Sequence, residues 1–318
     1  MIVLRDGEID PTSSEPSVVT IGVFDGLHRG HQAVIAQVIE LAREYDARST
    51  VVTFDPTPAM VLAPTKAPRL LATLEQRLDG LEALGVDQVR LITFNETLKS
   101  ETARHFVERV VVGELRARWV VVGEDFHFGH NREGTVATLG DVGSTLGFDV
   151  APAPLFGDGQ RWSSTAVRVA LENGDLASAE AVLGHHFTLR GVVAHGDARG
   201  DTLGYPTANL TLAPQQALPA EGVYAGATRL ADGWSGAAIS VGTRQQFYDD
   251  GELLVEVHVP GFEGDLYDRQ LEVVFLARLR DQLTFASVDE LVARIEGDVV
   301  ETLEIFEKFS LDDAQLLR

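Results

Sequence analysis

Short apolar runs alternate with amphipathic stretches along the first half of the chain. The runs lie at 18–21, 49–54, 88–93, 119–122 and 148–152, and their lengths are typical of buried strands. Apolar residues at helical spacing between and after them predict helices at 31–45, 73–85, 101–118, 164–172 and 175–183. This alternation predicts an α/β fold with a doubly wound parallel sheet. Ligands of such sheets bind at the carboxyl ends of the strands, so the loops there are the first candidates for a site.

The pattern changes near Gly184. From there on, short β-rich runs are separated by turn residues, at 188–194, 222–229, 236–241, 253–259 and 271–277. One long helix follows, and its start at Ser287 has the form of a capping box. We expect its buried stripe to consist of Val288, Leu291, Val292 and Ile295. These elements predict a small antiparallel β-barrel with a C-terminal helix, and hence two domains, 1–184 and 185–318.

Composition narrows the classes of function. The chain has 318 residues, more than one core usually accommodates, and a formal net charge of −22. So acidic a chain is unsuited to general nucleic-acid binding, and a site for ATP must create positive potential locally. The absence of cysteine excludes disulfides, thiolate chemistry and zinc–cysteine sites. We find neither a run long enough to span a membrane nor a signal-peptide pattern, and we expect a cytoplasmic protein without membrane partners.

The most informative segment is the turn 22–31 (GVFDGLHRGH), which follows the apolar run 18–21. Its glycines allow the backbone to approach a polyphosphate, and the helix that opens at Gly30 and His31 directs free N–H groups towards an anion. His28 and His31 can donate hydrogen bonds to charge that develops at an attacked phosphorus atom. Histidines in a turn are often structural, but a position between a strand and an amphipathic helix favours nucleotide binding.

Two further loops follow predicted strands, at 54–58 (FDPTP) and 123–129 (GEDFHFG). Their aromatic residues, Phe54, Phe126 and Phe128, suit stacking on a flat ring system, although packing beneath a loop explains them nearly as well. The segment 162–168 (WSSTAVR) contains hydroxyls and a guanidinium, which suit an anion clamp. The alternative is that Ser163 or Ser164 caps an ordinary helix. We favour the clamp because of the turn upstream.

The second domain begins with a glycine-rich loop within 191–210 (GVVAHGDARGDTLGYPTANL), which is able to wrap a phosphate. Thr207 and Asn209 are two residues apart, so an extended segment directs both neutral oxygens to the same side. Mg²⁺ held largely by phosphate and water needs only one or two such ligands. On the apolar run 253–259, Glu256 is either a solvent-facing strand residue or a general base that takes a proton from an attacking alcohol.

These motifs resemble, in order and over essentially the entire chain, those of the bacterial bifunctional riboflavin kinase/FAD synthetase family. In the first domain they are GVFDGLHRGH (22–31), FDPTP (54–58), VVGEDFHFG (121–129) and SSTAVR (163–168). In the second they are HGDARG (195–200), GYPTANL (204–210), EGVYAG (221–226), VGT (241–243), VEVHV (255–259), DLYDR (265–269) and FLARLRD (275–281). GYPTAN followed by VEVH is highly specific to flavokinases.

The resemblance implies two successive reactions. The second domain would transfer the γ-phosphate of ATP to the 5′-hydroxyl of riboflavin. The first domain, which looks like a nucleotidyltransferase, would let the FMN phosphate attack the α-phosphate of ATP, giving FAD and pyrophosphate. Riboflavin, FMN and ATP are the implied small-molecule partners and Mg²⁺ the implied cofactor, while weak self-association is left open.

The resemblance also implies a role for individual residues. In adenylyl transfer, His28 and His31 would stabilise the transition state. ATP would be bound there by Gly22, Phe24, Asp25, Gly30, Ser163, Ser164, Thr165 and Arg168, and the flavin by Phe54, Pro56, Asp125, Phe126 and Phe128. In the kinase, Glu256 would be the catalytic base. Gly196, Arg199, Gly204, Pro206, Thr207 and Asn209 would bind ATP, with Mg²⁺ at Thr207 and Asn209.

The chain departs from the family pattern at three places, which together comprise four residues. Thr57 stands where many relatives carry His or Gln, and a hydroxyl can still donate a hydrogen bond. Asp201 stands where a basic residue is usual, and a carboxylate beside ATP phosphates costs on the order of 1 kcal/mol in water. Gln245 and Gln246 replace a common Pro-Thr pair. We expect weaker kinase affinity for ATP because of Asp201 and a more flexible turn at Gln245 and Gln246, but no loss of chemistry.

Other function classes fit less of the chain. One alternative is a riboflavin kinase whose first domain is regulatory or oligomerising, which the intact turn 22–31 disfavours. Another is a flavin-binding regulator without activity, which Glu256 and the PTAN motif disfavour. A pantetheine-phosphate or nicotinamide-mononucleotide adenylyltransferase would fit the first domain and leave 185–318 unexplained.

Overall fold

The apolar runs of the first half form a parallel sheet in the computed structural model of the chain, which describes residues 1–8, 14–153, 162–195, 203–243 and 253–309. The strands of this half are β1 (Ile2–Leu4), β2 (Ser17–Ile21), β3 (Arg48–Phe54), β4 (Gln88–Ile92), β5 (Ala117–Gly123), β6 (His127–Phe128), β7 (Gly134–Thr135) and β8 (Asp149–Ala153). Six of them pair in the order β1-β4-β3-β2-β5-β8, every pair parallel, while β6 and β7 form a separate antiparallel pair. The prediction of a doubly wound α/β sheet is confirmed.

The helices of this half are α1 (Arg29–Glu44), α2 (Pro58–Leu62), α3 (Leu74–Ala83), α4 (Glu96–Ser100), α5 (Ala103–Phe106) and α6 (Val136–Leu146). The single helix predicted at 101–118 is wrong in its second half. There α5 continues into a π-helical segment, Val107–Glu114, and Arg116 adopts a left-handed conformation with φ of 49°. That conformation ends the helix, so strand β5 begins at Ala117. Neither β1 nor α6 was predicted.

Beyond the sheet come α7 (Ser164–Glu172), α8 (Leu176–Leu183) and a closed antiparallel barrel. The barrel strands are β9 (Thr188–Ala194), β10 (Ala208–Leu212), β11 (Gly222–Leu230), β12 (Gly233–Thr243), β13 (Leu253–His258) and β14 (Gln270–Arg280), closed in the order β10-β13-β12-β11-β14-β9. Closure needs a close approach at Gly226, where a Cβ atom would overlap Ile239 Cδ1 and the Val274 carbonyl oxygen. The predicted barrel is confirmed.

The C-terminal helix α9 (Val288–Phe306) begins at the predicted N-cap, Ser287, but the return bond from Glu290 goes to the residue before the cap. The Glu290 N–H donates to Ser287 Oγ at 3.2 Å, and Glu290 Oε2 accepts from the Ala286 N–H at 3.1 Å. The predicted stripe is wrong at Val288, which is 60% exposed, while Leu291, Val292 and Ile295 are half-buried and the fully buried positions are Asp298 and Thr302. Burial of a carboxylate is tolerated because Arg280 and Arg294 both pair with Asp298.

The chain divides into two compact units at a different place from the predicted domain boundary. One unit consists of Met1–Pro68 and Leu74–Ser163, and the other of Arg69–Thr73 with the chain from Ser164 onward. Helices α7 and α8 therefore belong to the unit that contains the barrel. Compactness does not test which segment performs which reaction, so the functional division at 184/185 stays a prediction.

Candidate active sites

The two predicted catalytic histidines lie side by side at the carboxyl end of β2. Their rings stack with centroids 3.6 Å apart and planes inclined by 21°. His28 caps helix α1, because its Nδ1 accepts the backbone N–H of His31 at 3.4 Å. This bond fixes the tautomer of a neutral His28, whose proton is then on Nε2. The pair thus sits at the positive end of a 16-residue helix, as an anion-binding role requires.

The turn that carries the pair has an unusual backbone. Phe24, Gly26 and Leu27 have φ values of 55°, 77° and 43°. The side chains of Phe24 and Leu27 are both buried. Gly30 is in close contact, since a Cβ atom there would lie 3.1 Å from His28 Cε1 and press on that ring. The same point lies 3.7 Å from the Trp162 carbonyl oxygen, so residues 162–163 pass beside the turn. Of the predicted clamp, Ser163 therefore belongs to this neighbourhood.

His31 is poised to remain neutral. Its Nδ1 is shielded from solvent and has no hydrogen-bond partner among the described residues. Burial, followed by the neighbouring charge of His28, holds the pKa of His31 well below the ordinary value of 6.5. Near neutral pH His31 is therefore an uncharged imidazole, and the pair does not carry two positive charges.

The predicted flavin-binding aromatic residues lie in two groups. Phe54, at the end of β3, contacts Phe94 edge-on at 5.9 Å, and Phe126 and Phe128 stack at 5.2 Å. All three predicted residues are half-buried and pack against the core beneath the sheet. Each ring therefore packs against the core on one side and keeps a part of its surface exposed to solvent.

The remaining loop residues differ in accessibility. Asp125 is exposed, Pro56 is half-buried and follows a cis peptide bond, and Thr57 is 4% exposed at the start of α2. Asp25 is also buried, at 4% exposure. Thr57 therefore occupies a packed position, which limits the group that could replace it.

Three of the predicted clamp residues lie on α7, in the unit that contains the barrel. Ser164 begins this helix, and Thr165 is exposed in its first turn. Arg168 donates from Nε to the carbonyl oxygen of Arg69 at 2.5 Å, a contact within that unit. The contacts of these residues therefore leave the predicted phosphate clamp untested.

The second candidate site lies on the barrel surface. Antiparallel pairing places Asn209 on β10 directly opposite Glu256 on β13, and Glu256 in turn opposite Ser240 on β12. The alternate residues, including Val255 and Val257, are buried inside the barrel, so this polar row faces outward and is half-buried. An amide, a carboxylate and a hydroxyl thus lie along one line across three strands.

Thr207 and His258 extend the polar surface along the strands, two residues from Asn209 and Glu256 respectively. His258 Nδ1 donates to the Pro206 carbonyl oxygen at 2.7 Å, which fastens the PTAN segment to β13. Thr207 directly precedes β10 and is half-buried. Neutral oxygens of Thr207 and Asn209 beside one carboxylate form a donor set suited to Mg²⁺ that phosphates and water largely coordinate.

Several predicted residues lie outside the described part of the chain, namely Gly196, Arg199, Asp201, Gln245 and Gln246. Their roles stay predictions. Gly204 is described and has φ of 83°, a conformation that favours glycine in the turn before PTAN. In the described ranges, no helix is both long and apolar enough to cross a membrane.

Sequence reasoning missed three residues near these sites. Ser240 lies on a strand that was predicted, but its register opposite Glu256 depends on pairing between distant segments. Gln282 donates from Nε2 to Ser240 Oγ at 3.1 Å and to the Val241 carbonyl oxygen at 3.0 Å. Arg77 lies on the buried face of α3, four residues before Leu81. The only sign of its role in the sequence is that a charged residue stands at helical spacing from an apolar one.

Known proteins match both halves of the chain. The FAD synthetase family matches residues 10–166 and the riboflavin kinase family matches residues 183–306. Proteins named bifunctional riboflavin kinase/FMN adenylyltransferase are similar over most of their length. The Escherichia coli K12 protein is 40% identical over 294 residues, which is 92% of this chain and 93% of that protein. The Pseudomonas fluorescens protein is 42% identical over 89% and 90%, and the Bacillus subtilis 168 protein 32% over 91% and 92%.

One solved structure matches nearly the whole chain. It is a crystal structure described as a macrolide-efflux protein from Streptococcus pneumoniae, with 31% sequence identity and a TM-score of 0.85. The match covers 98% of this chain and 100% of that one. The folds of both halves therefore recur in a structure determined by crystallography.

Proposed function

Because the chain belongs to the family of bifunctional riboflavin kinase/FMN adenylyltransferases, we propose that adenylyl transfer takes place at the turn 22–31 and phosphoryl transfer on the barrel surface around Glu256. The chain phosphorylates riboflavin to FMN and adenylylates FMN to FAD, so ATP is a substrate of both steps. The proposal concerns where each reaction occurs and which residues perform it.

One observation supports the first assignment above the others, the stacking of His28 and His31 at the start of α1. In adenylyl transfer, an FMN phosphate oxygen forms a bond to the α-phosphorus of ATP while the bond to the bridging oxygen breaks and pyrophosphate leaves. Negative charge grows on the α-phosphate oxygens. Imidazole N–H groups would donate hydrogen bonds to those oxygens, and the positive end of the α1 dipole would stabilise the same charge.

The residues around the histidines have narrower roles. Gly22, Phe24, Asp25 and Gly30 would shape the turn, and Ser163, which follows the carbonyl beside Gly30, would contact a phosphate. Phe54, Pro56, Asp125, Phe126 and Phe128 would bind the flavin. Triphosphate binding by Ser164, Thr165 and Arg168 is proposed on the motif alone.

For the kinase reaction, the support is the pairing of Asn209 with Glu256 on the outer face of the barrel. Glu256 would accept the proton of the riboflavin 5′-hydroxyl while that oxygen forms a bond to the γ-phosphorus and ADP leaves. Mg²⁺, held by Thr207 and Asn209, would neutralise phosphate charge when bound. Gly204 and Pro206 would border the nucleotide, together with Gly196 and Arg199.

The test is to incubate the full chain with riboflavin, ATP and Mg²⁺ and to resolve FMN and FAD by chromatography over time. FMN should appear first and FAD later, and FAD should form at once when FMN replaces riboflavin. Omission of Mg²⁺ should stop FMN formation. If FMN accumulates and FAD never forms, even from supplied FMN, the first half is regulatory and the alternative function holds.

We propose a cytoplasmic location, while the extent of self-association stays a prediction.

A further inference from the structure

Arg77 on helix α3 joins two loops that flank the histidine pair. The residue is 1% exposed, and its Nη1 donates to the carbonyl oxygen of Val23 at 2.9 Å and to Thr53 Oγ1 at 3.3 Å. Both Nη atoms also lie 3.4 Å from the carbonyl oxygen of Phe54. One guanidinium therefore ties the turn after β2 to the carboxyl end of β3.

The contact with Val23 matters because this residue opens the histidine turn. Val23 directly precedes Phe24, the first of two buried non-glycine residues with positive φ, and the turn then leads to His28. Such backbone conformations persist only where the surroundings hold them. Arg77 supplies a charged donor to the first carbonyl of the turn, and Thr53 Oγ1 also donates to that carbonyl at 3.2 Å.

Arg77 also supplies positive charge at this place. Its Nη2 lies 3.7 Å from Asp55 Oδ1, and Asp25 acts on it electrostatically as well. Burial lowers the pKa of Arg77, while Asp25 and Asp55 raise it, and an arginine in this situation remains protonated. In a chain with net charge −22, two carboxylates without a countercharge would repel a polyphosphate.

We propose that Arg77 is a positioning residue for adenylyl transfer, which holds the histidine turn against the end of β3 and offsets the charge of Asp25 and Asp55. The proposal rests on the location of adenylyl transfer at the turn 22–31. Arg77 contributes to adenylyl transfer in two ways, through the forked geometry of its guanidinium and through its charge. Different substitutions remove one or both of these properties.

Two variants and one control separate these contributions in the full chain. Arg77→Lys keeps the charge but replaces a planar fork by a single ammonium, and Arg77→Met removes both. The control is Arg90→Met, because Arg90 is another buried arginine of the same unit, 6% exposed. It pairs with Asp6 and Glu114, and its Nη1 donates to the Leu91 carbonyl oxygen.

The readouts are kcat and KM of FAD formation from FMN, the rate of riboflavin phosphorylation as an internal standard, and the urea midpoint of unfolding. Arg77→Lys should lower kcat about ten-fold with KM for ATP unchanged, because a misplaced catalytic group slows reaction without weakening binding. Arg77→Met should lower kcat about 100-fold and raise KM for ATP several-fold. Arg90→Met should lower the urea midpoint but keep kcat within about three-fold, and all three should phosphorylate riboflavin at the normal rate.

Normal kcat in Arg77→Lys, or equal loss of kcat in the Arg77→Met and Arg90→Met variants, would overturn the proposal and leave Arg77 a structural residue. If Arg77→Met does not fold, the kcat and KM of Arg77→Lys decide. Measuring His28→Ala in parallel keeps the two proposals separate. If His28→Ala forms FAD normally, the location of the site is wrong, whereas loss in His28→Ala with normal Arg77 variants rejects only the role of Arg77.

Discussion

The imidazole rings of His28 and His31 are stacked, with centroids 3.6 Å apart, so the two side chains form one unit rather than two independent donors. A proton added to either ring lies against the other ring in a shielded place. The structure therefore favours the neutral form of His31, and this has consequences for activity and for stability.

Replacing either histidine by alanine should abolish FAD formation and preserve FMN formation. Loss of one preorganised donor commonly lowers kcat by about 10²–10³. The measurement is chromatographic, with riboflavin and with FMN as separate substrates. His105→Ala, which removes an exposed histidine of the same unit, serves as the control. Normal FAD synthesis in both active-site variants would reject the assignment.

The histidine pair should also make stability depend on pH. Since burial and then His28 lower the pKa of His31 well below 6.5, the unfolded chain takes up a proton below pH 6.5 that the folded chain does not. The free energy of unfolding should therefore fall as the pH drops below about 6.5. Urea midpoints between about pH 7.5 and 5.5 measure this.

The variant His31→Asn should show a shallower fall of the midpoint over the same range than the original chain. An identical pH dependence in the original chain and His31→Asn would mean that His31 takes up its proton in the folded state as readily as in the unfolded state.

Gly30→Ala should separate activity from stability. Alanine favours a helix over glycine, yet its Cβ would lie 3.1 Å from His28 Cε1 and displace the ring. We expect FAD formation to fall about ten-fold or more while the midpoint of unfolding is unchanged or higher. Gly140→Ala in α6, where a Cβ atom meets nothing within 4 Å, is the control and should keep full activity. Full activity in the Gly30→Ala variant would show that displacement of the His28 ring does not affect FAD formation.

Glu256→Gln should lower riboflavin phosphorylation by about 10²–10⁴, the range for a positioned general base. The amide keeps the shape of the side chain but cannot accept the proton. With FMN as substrate the variant should form FAD at the normal rate. Glu272→Gln, a barrel glutamate paired with Arg190 at 2.6 Å, reports the cost of removing a strand carboxylate. Near-normal phosphorylation by the Glu256→Gln variant would show that Glu256 is a strand residue without a role as the general base.

Asp298→Ala should destabilise the barrel unit by about 3–5 kcal/mol, because it leaves Arg280 partly buried without its carboxylate. Arg280 Nη2 and Arg294 Nη2 lie 2.7 and 2.9 Å from the carboxylate oxygens. Unfolding by urea measures the change. Glu301→Ala, at an exposed position on the same helix, should change it by less than about 0.5 kcal/mol. A loss below about 1 kcal/mol for Asp298→Ala would show that the pair contributes little.

The local sequence pattern was sufficient to predict an element wherever residues adjacent in the chain determine its structure. The strand before His28, the helix after it and the N-cap at Ser287 were all predicted correctly. Prediction failed where the backbone conformation of a single residue, or contact with a distant segment, determines where an element ends or which residues are buried. Arg116 with positive φ divided a predicted helix from the strand after it, and Val288 is exposed although it continues an apolar stripe.

The sequence by itself therefore determined the α/β sheet, the barrel, the family and the residue types at both sites, because periodicity and motif spacing are properties of adjacent residues. Only the tertiary structure decided that Glu256 lies between Asn209 and Ser240, and that Arg77 reaches both Val23 and Phe54. These relationships join segments of about 16 to 54 residues' separation. Strand register and the burial of a charge depend on the packing of the whole unit, and no local pattern encodes them.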